Sequence, residues 1–567
     1  MDPAVPGSPP DASPKASAPV SSPSSVHPAG ADAGASAAPP RLARSAGVTG
    51  AATLASRILG LVRDQVLAAY FGAGNEMDAF IVAFRIPNLV RDLFAEGAMS
   101  AAFVPTFTQY LTRRGRDEAW RLGTNVLNGL LLATGVLVLL GIAFAHPIVM
   151  ALAGHFATVP GKIALTTWLA RITLPFLIFV AVAAAMMGML NSLHHFFVPA
   201  LSPAMFNIAL IACTIGLVPV MPMLGLPRIT AIAIGALLGG LGQIALQWPV
   251  LRREGYRYRP RLEIRDEGLR QVLVLMGPGL VGLAALQINL FVTTLLATTQ
   301  GTGAVSWLNY GFRLAHLPIG LFGVSIATAV LPSVSRHAAQ GHAAGVRRTV
   351  ADGLGMMFVL NIPATFGLLA LAPSIVGLVF QRGRFTAADT AATAAVLRCY
   401  AVGLVGFSAV RIVSPTFYAL HRSRVPVMVS VGAVALNLLL CLTLLPSLGY
   451  RALALGPSLA AIANAGTLVF LLSRQLDGLE GRRLTATLVR VVLASALMAA
   501  VAAAANGWLG RLLPGGGLGA GLLKVGGAIA AGLVVLVVSV RALGIREFDR
   551  AVETIRARLG RAPEGAR

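Results

Sequence analysis

AFRIPNLVRDLFAEGAMSAA (83–102) and GFRLAHLPIGLFGVSIATAV (311–330) are two versions of one pattern. At a shift of 228 residues Phe84 meets Phe312, Arg85 meets Arg313, Leu89 meets Leu317, and Leu93 and Phe94 meet Leu321 and Phe322. A match at this distance predicts a duplicated unit and two halves of similar fold. The mismatches carry information as well. Arg91, Asp92 and Glu96 of the first copy stand where the second has Ile319, Gly320 and Val324. A fold that accepts apolar residues and glycine at these positions does not need charges there, so the first-copy charges point to function.

Around this repeat the chain of 567 residues is 56% hydrophobic and 12% charged, with a mean hydropathy of +0.77. Soluble domains carry about 25% charged residues, so the chain reads against a bilayer. Fourteen apolar segments follow one another from 47–71 to 517–543, each long enough to cross a core of about 30 Å as a helix. In lipid every backbone polar group must be paired within its own segment, and no ten-residue alternation suggests a barrel. The fold class expected is therefore an all-α polytopic membrane protein with about 14 transmembrane helices: two six-helix lobes related by the repeat, plus two extra C-terminal helices. An even number of crossings between the copies makes them parallel, related by an axis along the membrane normal. The expected boundaries are a Pro/Ala/Ser-rich disordered tail over 1–45, an N-lobe over 46–251, a basic cytoplasmic loop over 252–268, a C-lobe over 269–474, helices 13–14 over 484–543, and an amphipathic tail over 544–567.

The formal charge of +23 sits in the gaps between apolar runs rather than in a basic stripe with interleaved aromatics, so no nucleic-acid partner is expected. With a cytoplasmic N-terminus, 25 arginines fall on the cytoplasmic side against five basic residues, Lys162, Arg228, Arg382, Arg384 and Arg511, on the other. That bias places both termini in the cytoplasm. Cys213, Cys399 and Cys441 lie in apolar runs without a CxxC pair and read as small buried residues. There is no metal-ligand set, nucleophile elbow or phosphate-cradling loop followed by lysine, so an enzyme is not expected.

The charges that interrupt apolar runs cluster in the first copy. Arg57 and Asp64 are seven apart and share a helical face; Asp78, Arg85 and Asp92 form a second such series. Pro87 and nearby glycines predict kinks with room between helices. A charge at mid-bilayer costs about 2.5–3.5 kcal/mol on the insertion scale, so such residues face a water-filled cavity or one another. A cavity lined by Arg57, Arg63, Arg85, Arg91 and Arg313 would be cationic, and arginine's planar fork matches phosphate oxygens. Asp64, Asp78, Asp92 and Glu96 would orient those forks or act in gates. Arg171, Arg398, Arg411, Arg490 and Lys524 read instead as charges near helix ends.

SRILGLVRDQVLAAYFGAG, MDAFIVAFRIPNLVRDLFAEGAMSAAFVP, SWLNYGFRLAHLPIGLFGVSIATAVLPSVS and GRFTAADT resemble the MurJ/MviN family of lipid II flippases, in order, from about residue 40 to the C-terminal region. The resemblance implies the fold of the MOP exporter superfamily, a central cavity, and a hydrophobic groove made by the last two helices. It implies as substrate lipid II, the undecaprenyl-diphosphate-linked disaccharide-pentapeptide, flipped by alternating access across the bacterial inner membrane. Its functional positions carry over to Arg57, Arg63, Asp78, Arg91 and Arg313, with Arg85 where a lysine is often found and Ser306 among the gating or orienting residues. Phe312 and His316 stand where relatives can have acids, which puts a salt bridge to Arg313 from those positions in doubt. No cofactor is implied; coupling to membrane potential, Na⁺ or H⁺ is open, as is a partner in the cell-wall synthesis machinery. The alternative is a superfamily exporter of another polyprenyl-diphosphate-linked glycan or of small amphiphiles. A drug or cation exporter would call for acidic rather than arginine-rich surfaces.

Overall fold

The computed structural model describes residues 40–91, 99–260, 263, 265–513, 517–545 and 547–548. Asp92, Glu96, the tail before residue 40 and most of the amphipathic run from Arg546 to Leu559 lie outside the described residues. Val48–Arg567 form one compact unit.

All regular structure among the described residues is helical. The first half holds α1 (Pro40–Phe71), α2 (Asn75–Arg91), α3 (Met99–Arg113), α4 (Arg116–Ala143), α5 (Ala145–Ala153), α6 (Lys162–Thr173), α7 (Phe176–Ser192), α8 (Phe197–Leu217) and α9 (Thr230–Arg253). The second holds α10 (Glu267–Thr298), α11 (Ala304–Pro318), α12 (Val324–Ala339), α13 (Ala343–Phe380), α14 (Ala387–Val402), α15 (Leu404–Ala419), α16 (Arg424–Leu448) and α17 (Ala452–Gln475). Then α18 (Gly481–Leu512) and α19 (Leu518–Ala542) pack on each other and on α13. Ten helical runs among the described residues are long and apolar enough to cross a membrane; one of them, Arg424–Gln475, contains both α16 and α17. Their outer faces stay apolar: Leu139, Met428, Leu523 and Val534 are all more than 60% exposed, as a lipid-facing surface requires.

The duplication is visible in the elements. α1 and α10 each span 32 residues, and a shift of 228 lays one on the other to within one residue. The pattern quoted first runs through α2 and α3 in one half, and through α11, a π turn at Ile319–Gly323 and α12 in the other. Pro318, which has no N–H to give the helix, directly precedes the π turn.

Packing differs between the two ends of the bundle. Near the turns at Gly72 and Arg384 one core is common to both halves: Phe71, Met77 and Phe80 join Leu314, Ile319, Val376, Phe380 and Phe385. Toward the opposite end the cores are separate. One is built on α3, α4, α7 and α9 with the first turns of α10, around Phe103, Phe107, Leu122 and Met189. The other is built on α12, α13, α15 and α17, around Val334, Leu354, Phe417 and Leu468. The halves therefore meet at one end and leave a cleft between them toward the other. Polar contacts tie the loops at this open end. Arg116 and His195 both bond Glu254, at 3.2 and 2.8 Å, and together hold its carboxyl below the usual carboxylate range, the His195 hydrogen bond contributing most.

Candidate functional site

Charge in the cleft gathers where α1 passes α8 and α11. Arg63 is 7% exposed, and its Nε and Nη2 both donate to Asp64 Oδ1, at 3.0 and 2.7 Å. Its Nη1 donates to Asn207 Oδ1 of α8 at 2.9 Å. Asn207 in turn donates from Nδ2 to the Ser56 carbonyl at 3.1 Å, which fixes its orientation. Arg313 of α11 donates from Nη1 to Asp64 Oδ2 at 2.9 Å and from Nε to Asn309 Oδ1 at 3.0 Å. Asp64 thus bridges an arginine from each half. The doubt raised at Phe312 and His316 is resolved in this way: those two rings stack on each other, with centroids 3.7 Å apart, and the anion that pairs with Arg313 comes from the other half of the chain.

Two cavities meet at Arg63, Asn207 and Arg313, which line both. One arm, about 420 Å³, is lined by Arg57, Asp64, His316 and Arg411. The other, about 400 Å³, runs into the first half past Asn88, Arg91 and Phe206. The structure therefore brings together Arg57, Arg63, Asp64, Arg91 and Arg313. Arg85 is half-buried on α2 and lines neither arm. Arg411, read from the sequence as a charge near a helix end, is exposed into the first arm from the middle of α15. Nothing in its spacing signalled this, because only the packing of α15 against α12 and α13 turns it inward. Another space of about 550 Å³ lies between loops at the open end, where Asp117, Glu118, Glu263 and Asp266 stand against Arg121, Arg257 and Arg259; with charges so balanced it lacks the cleft's cationic character.

One of the repeat mismatches, Asp92 against Gly320, bears on where Arg57 lies. Gly320, the counterpart of Asp92, lies against Arg57 Nη1 so closely that a Cβ there would collide with it. A side chain at 320 would push aside the guanidinium that reaches across from α1. Gly320→Leu should leave the amount of folded protein unchanged and, by displacing the Arg57 guanidinium from the cleft wall, lower transport per folded molecule about ten-fold, what one charge-assisted hydrogen bond to the substrate would be worth. Full activity with a leucine at this position would show that the placement of Arg57 is immaterial.

Asp78 does not join the cleft. It is fully buried at the closed end and accepts four hydrogen bonds: from Lys162 Nζ at 3.0 Å, Gly303 N at 2.8 Å, Ser306 N at 3.1 Å and Ser306 Oγ at 2.7 Å. Gly303 is the N-cap of α11 and offers no side chain, so a carboxylate from the other half caps that helix and meets its positive end. Asp78 and Ser306 are separated by 228 residues, the repeat shift itself. Equivalent positions touch only near a symmetry axis, so the axis relating the halves passes here. Around them the Ala69 carbonyl accepts from Arg384 N at 2.8 Å, Asn75 Oδ1 accepts from Thr302 Oγ1 at 2.8 Å, and Arg384 pairs with Glu76 at 3.1 Å. Gly383 has φ +57°, and a Cβ on it would strike the Ala69 carbonyl, so this approach requires glycine. Among the described residues no three His, Cys, Asp or Glu side chains are placed to hold a metal ion.

A cationic cleft within an apolar helical bundle, closed at one end by contacts across an internal repeat, can be set beside known proteins. The family model described as lipid II flippase MurJ matches residues 67–512. The chain belongs to the MurJ family. Its relatives include a probable lipid II flippase MurJ of Vibrio cholerae, 36% identical over 435 residues covering 76% of this chain and 82% of the relative. The lipid II flippase MurJ of Burkholderia cenocepacia is 33% identical over 417 residues, covering 73% and 80% of the two chains. Among solved structures, a lipid II flippase MurJ in an inward closed conformation superposes with a TM-score of 0.71 at 25% identity, covering 87% of this chain and 99% of that one. An inward-facing multidrug MATE transporter of the MOP superfamily superposes with a TM-score of 0.62 at 14% identity, covering 75% of this chain and 96% of that one, and shares the fold alone.

Proposed function

We propose that this chain carries lipid II from the cytoplasmic to the outer leaflet of the bacterial inner membrane by alternating access. The observation that supports this most is the junction of Arg63, Asp64 and Arg313, with Arg57, Arg91 and Arg411 on the adjoining walls. A diphosphate is the part of a polyprenyl-linked precursor that so many guanidinium groups would hold. The cleft's positive charge disfavours a cation exporter on the same fold. The parts we assign are an N-lobe over 46–251, a C-lobe over 269–474, and helices over 484–543 that offer a groove to the polyprenyl tail, with fourteen crossings in all. Under this reading the end with separate cores faces the cytoplasm and the closure at Asp78 faces outward.

Depletion with rescue tests the function directly: re-expression should restore lipid-linked precursor accessible at the outer face, and inaccessibility despite folded protein would overturn the assignment. Orientation is tested separately with Cys213, Cys399 and Cys441 replaced. A membrane-impermeant thiol reagent should label Arg382→Cys from outside and should not label Arg116→Cys. The reverse pattern would invert the topology and the direction of transport built on it.

A further inference from the structure

The two arms of the cleft correspond to each other under the repeat. At the shift of 228, Phe312, His316 and Ile319 of the second arm meet Phe84, Asn88 and Arg91 of the first, and Arg411 meets Ala183. Each of these residues lines its own arm. The cation has therefore changed walls. In the first arm it stands on α2, as Arg91, with alanine on α7; in the second it stands on α15, as Arg411, with Ile319 at the π turn. A lobe that accepts alanine at this position does not need the arginine to fold. The π turn sets where Arg411 lies. Gly323 is so close to α15 that a Cβ on it would fall 2.9 Å from Ser408 Oγ, and Arg411 is one turn on from Ser408. Gly320, in the same π turn, lies against Arg57. An arginine from each half thus comes to a single arm of about 420 Å³.

Arg57 and Arg411 are both exposed, and among the described residues no acid pairs with either. Four arginines, Arg57, Arg63, Arg313 and Arg411, line this arm with the carboxylate of Asp64, a net charge of +3. A diphosphate joined to two groups keeps one negative charge on each phosphorus, so it answers two of these charges and leaves one. A cation inside a membrane protein is paired or lies on a substrate path. The sugars of the head group bring hydroxyls and amides but no charge. Its peptide brings carboxylates, the C-terminus among them, and a carboxylate fits the guanidinium fork through two parallel N–H···O bonds. We propose that Arg411, with Arg57, forms a second oxyanion subsite in this arm, and that it takes a carboxylate of the substrate's peptide stem. The proposal rests on the diphosphate reading above, which gives the junction of Arg63 and Arg313 to the other anion.

The test is equilibrium binding to the full chain in nanodiscs of phosphatidylcholine, which has no net charge to compete. The four probes are undecaprenyl diphosphate, the same lipid carrying the disaccharide alone, the pentapeptide-bearing precursor, and that precursor with its carboxylates converted to amides. The parent should bind the pentapeptide precursor about ten-fold more tightly than the amidated one, as a charge-assisted pair requires. Arg411→Ala should erase that preference. Because the first half has alanine at this place, the variant's unliganded melting temperature should equal or exceed the parent's. Arg411→Gln, which keeps length and removes charge, is the second variant, with the same outcome expected. A fall in melting temperature with the preference retained marks a structural arginine and overturns the subsite. So does a parent that binds the amidated precursor equally well. If Arg411→Ala weakens undecaprenyl diphosphate as much as the full precursor, Arg411 belongs to the diphosphate site and the separate subsite is overturned. Failure of the parent to bind undecaprenyl diphosphate at all would instead overturn the diphosphate reading.

Discussion

Arg313→Lys will reach the membrane folded and in parental amount, and its transport per folded molecule will fall about ten- to a hundred-fold. The side chain of Arg313 is 42% exposed, so a lysine there is still solvated. What a lysine cannot do is reproduce the fork. Arg313 uses Nη1 for Asp64 and Nε for Asn309 while its other N–H groups remain directed to the cleft; an ammonium is a point charge with one position. Each charge-assisted hydrogen bond lost is worth about 1.5–3 kcal/mol. Arg63→Lys should behave differently. Its three hydrogen bonds to Asp64 and Asn207 are buried, so the lysine variant should lose folded protein as well as activity. The measurement is the ratio of outer-leaflet precursor to folded protein. A parental ratio for Arg313→Lys would mean that its charge alone suffices and that no fork meets the diphosphate.

Lys162→Met will be among the most destabilising single changes in the chain. It leaves the Asp78 carboxylate buried without its cation, a loss of about 3–5 kcal/mol for a broken buried pair. Lys162 Nζ is satisfied by Asp78, by Asn75 Oδ1 at 2.9 Å and by the Phe156 ring at 3.9 Å, a compact nest that a guanidinium would overfill. Lys162→Arg should therefore fail too. The double variant Lys162→Met/Asp78→Asn removes both charges and should recover folded protein while weakening the closure, because an amide cannot accept from Gly303 N, Ser306 N and Ser306 Oγ as a carboxylate does. Spin labels on Thr158 and Thr386, exposed on the two halves, should report a broader and longer distance distribution in the double variant than in the parent. An unchanged distribution would show that the surrounding contacts of Arg384 and Thr302 close this end unaided.

The helical architecture and the duplication were legible because both are written in local pattern: apolar length, and Phe-Arg pairs at a constant shift. The arginines facing the cleft were legible where they interrupt apolar runs near the repeat. Asp78 was expected as an orienting or gating group, yet its place in one helical series with Arg85 suggested a common stripe, and the structure separates the two. Helix periodicity fixes a face but not what packs against it. Arg411 shows the same limit from the other side, since its neighbours come from distant segments. Lys162 was read only as an outer-loop charge. Two signals in the sequence could have marked it: it is one of three lysines among 45 basic residues, and it opens a helix, where the macrodipole disfavours a cation.

The contact between Asp78 and Ser306 bears on how such a chain could arise. Suppose each half were a separate polypeptide assembling as a symmetric homodimer. Whatever residue stood at this position would then meet its own copy across the axis. Two aspartates would repel, and two serines would leave the α11-like helix ends without an anion. Once the two halves differ in sequence, as they do in this single chain, a carboxylate can stand on one side and a hydroxyl with a free helix end on the other. Having both halves in one chain does more than join two copies: the residues on the axis are free to differ, so that complementary charge can hold together a place where symmetry alone would set like against like.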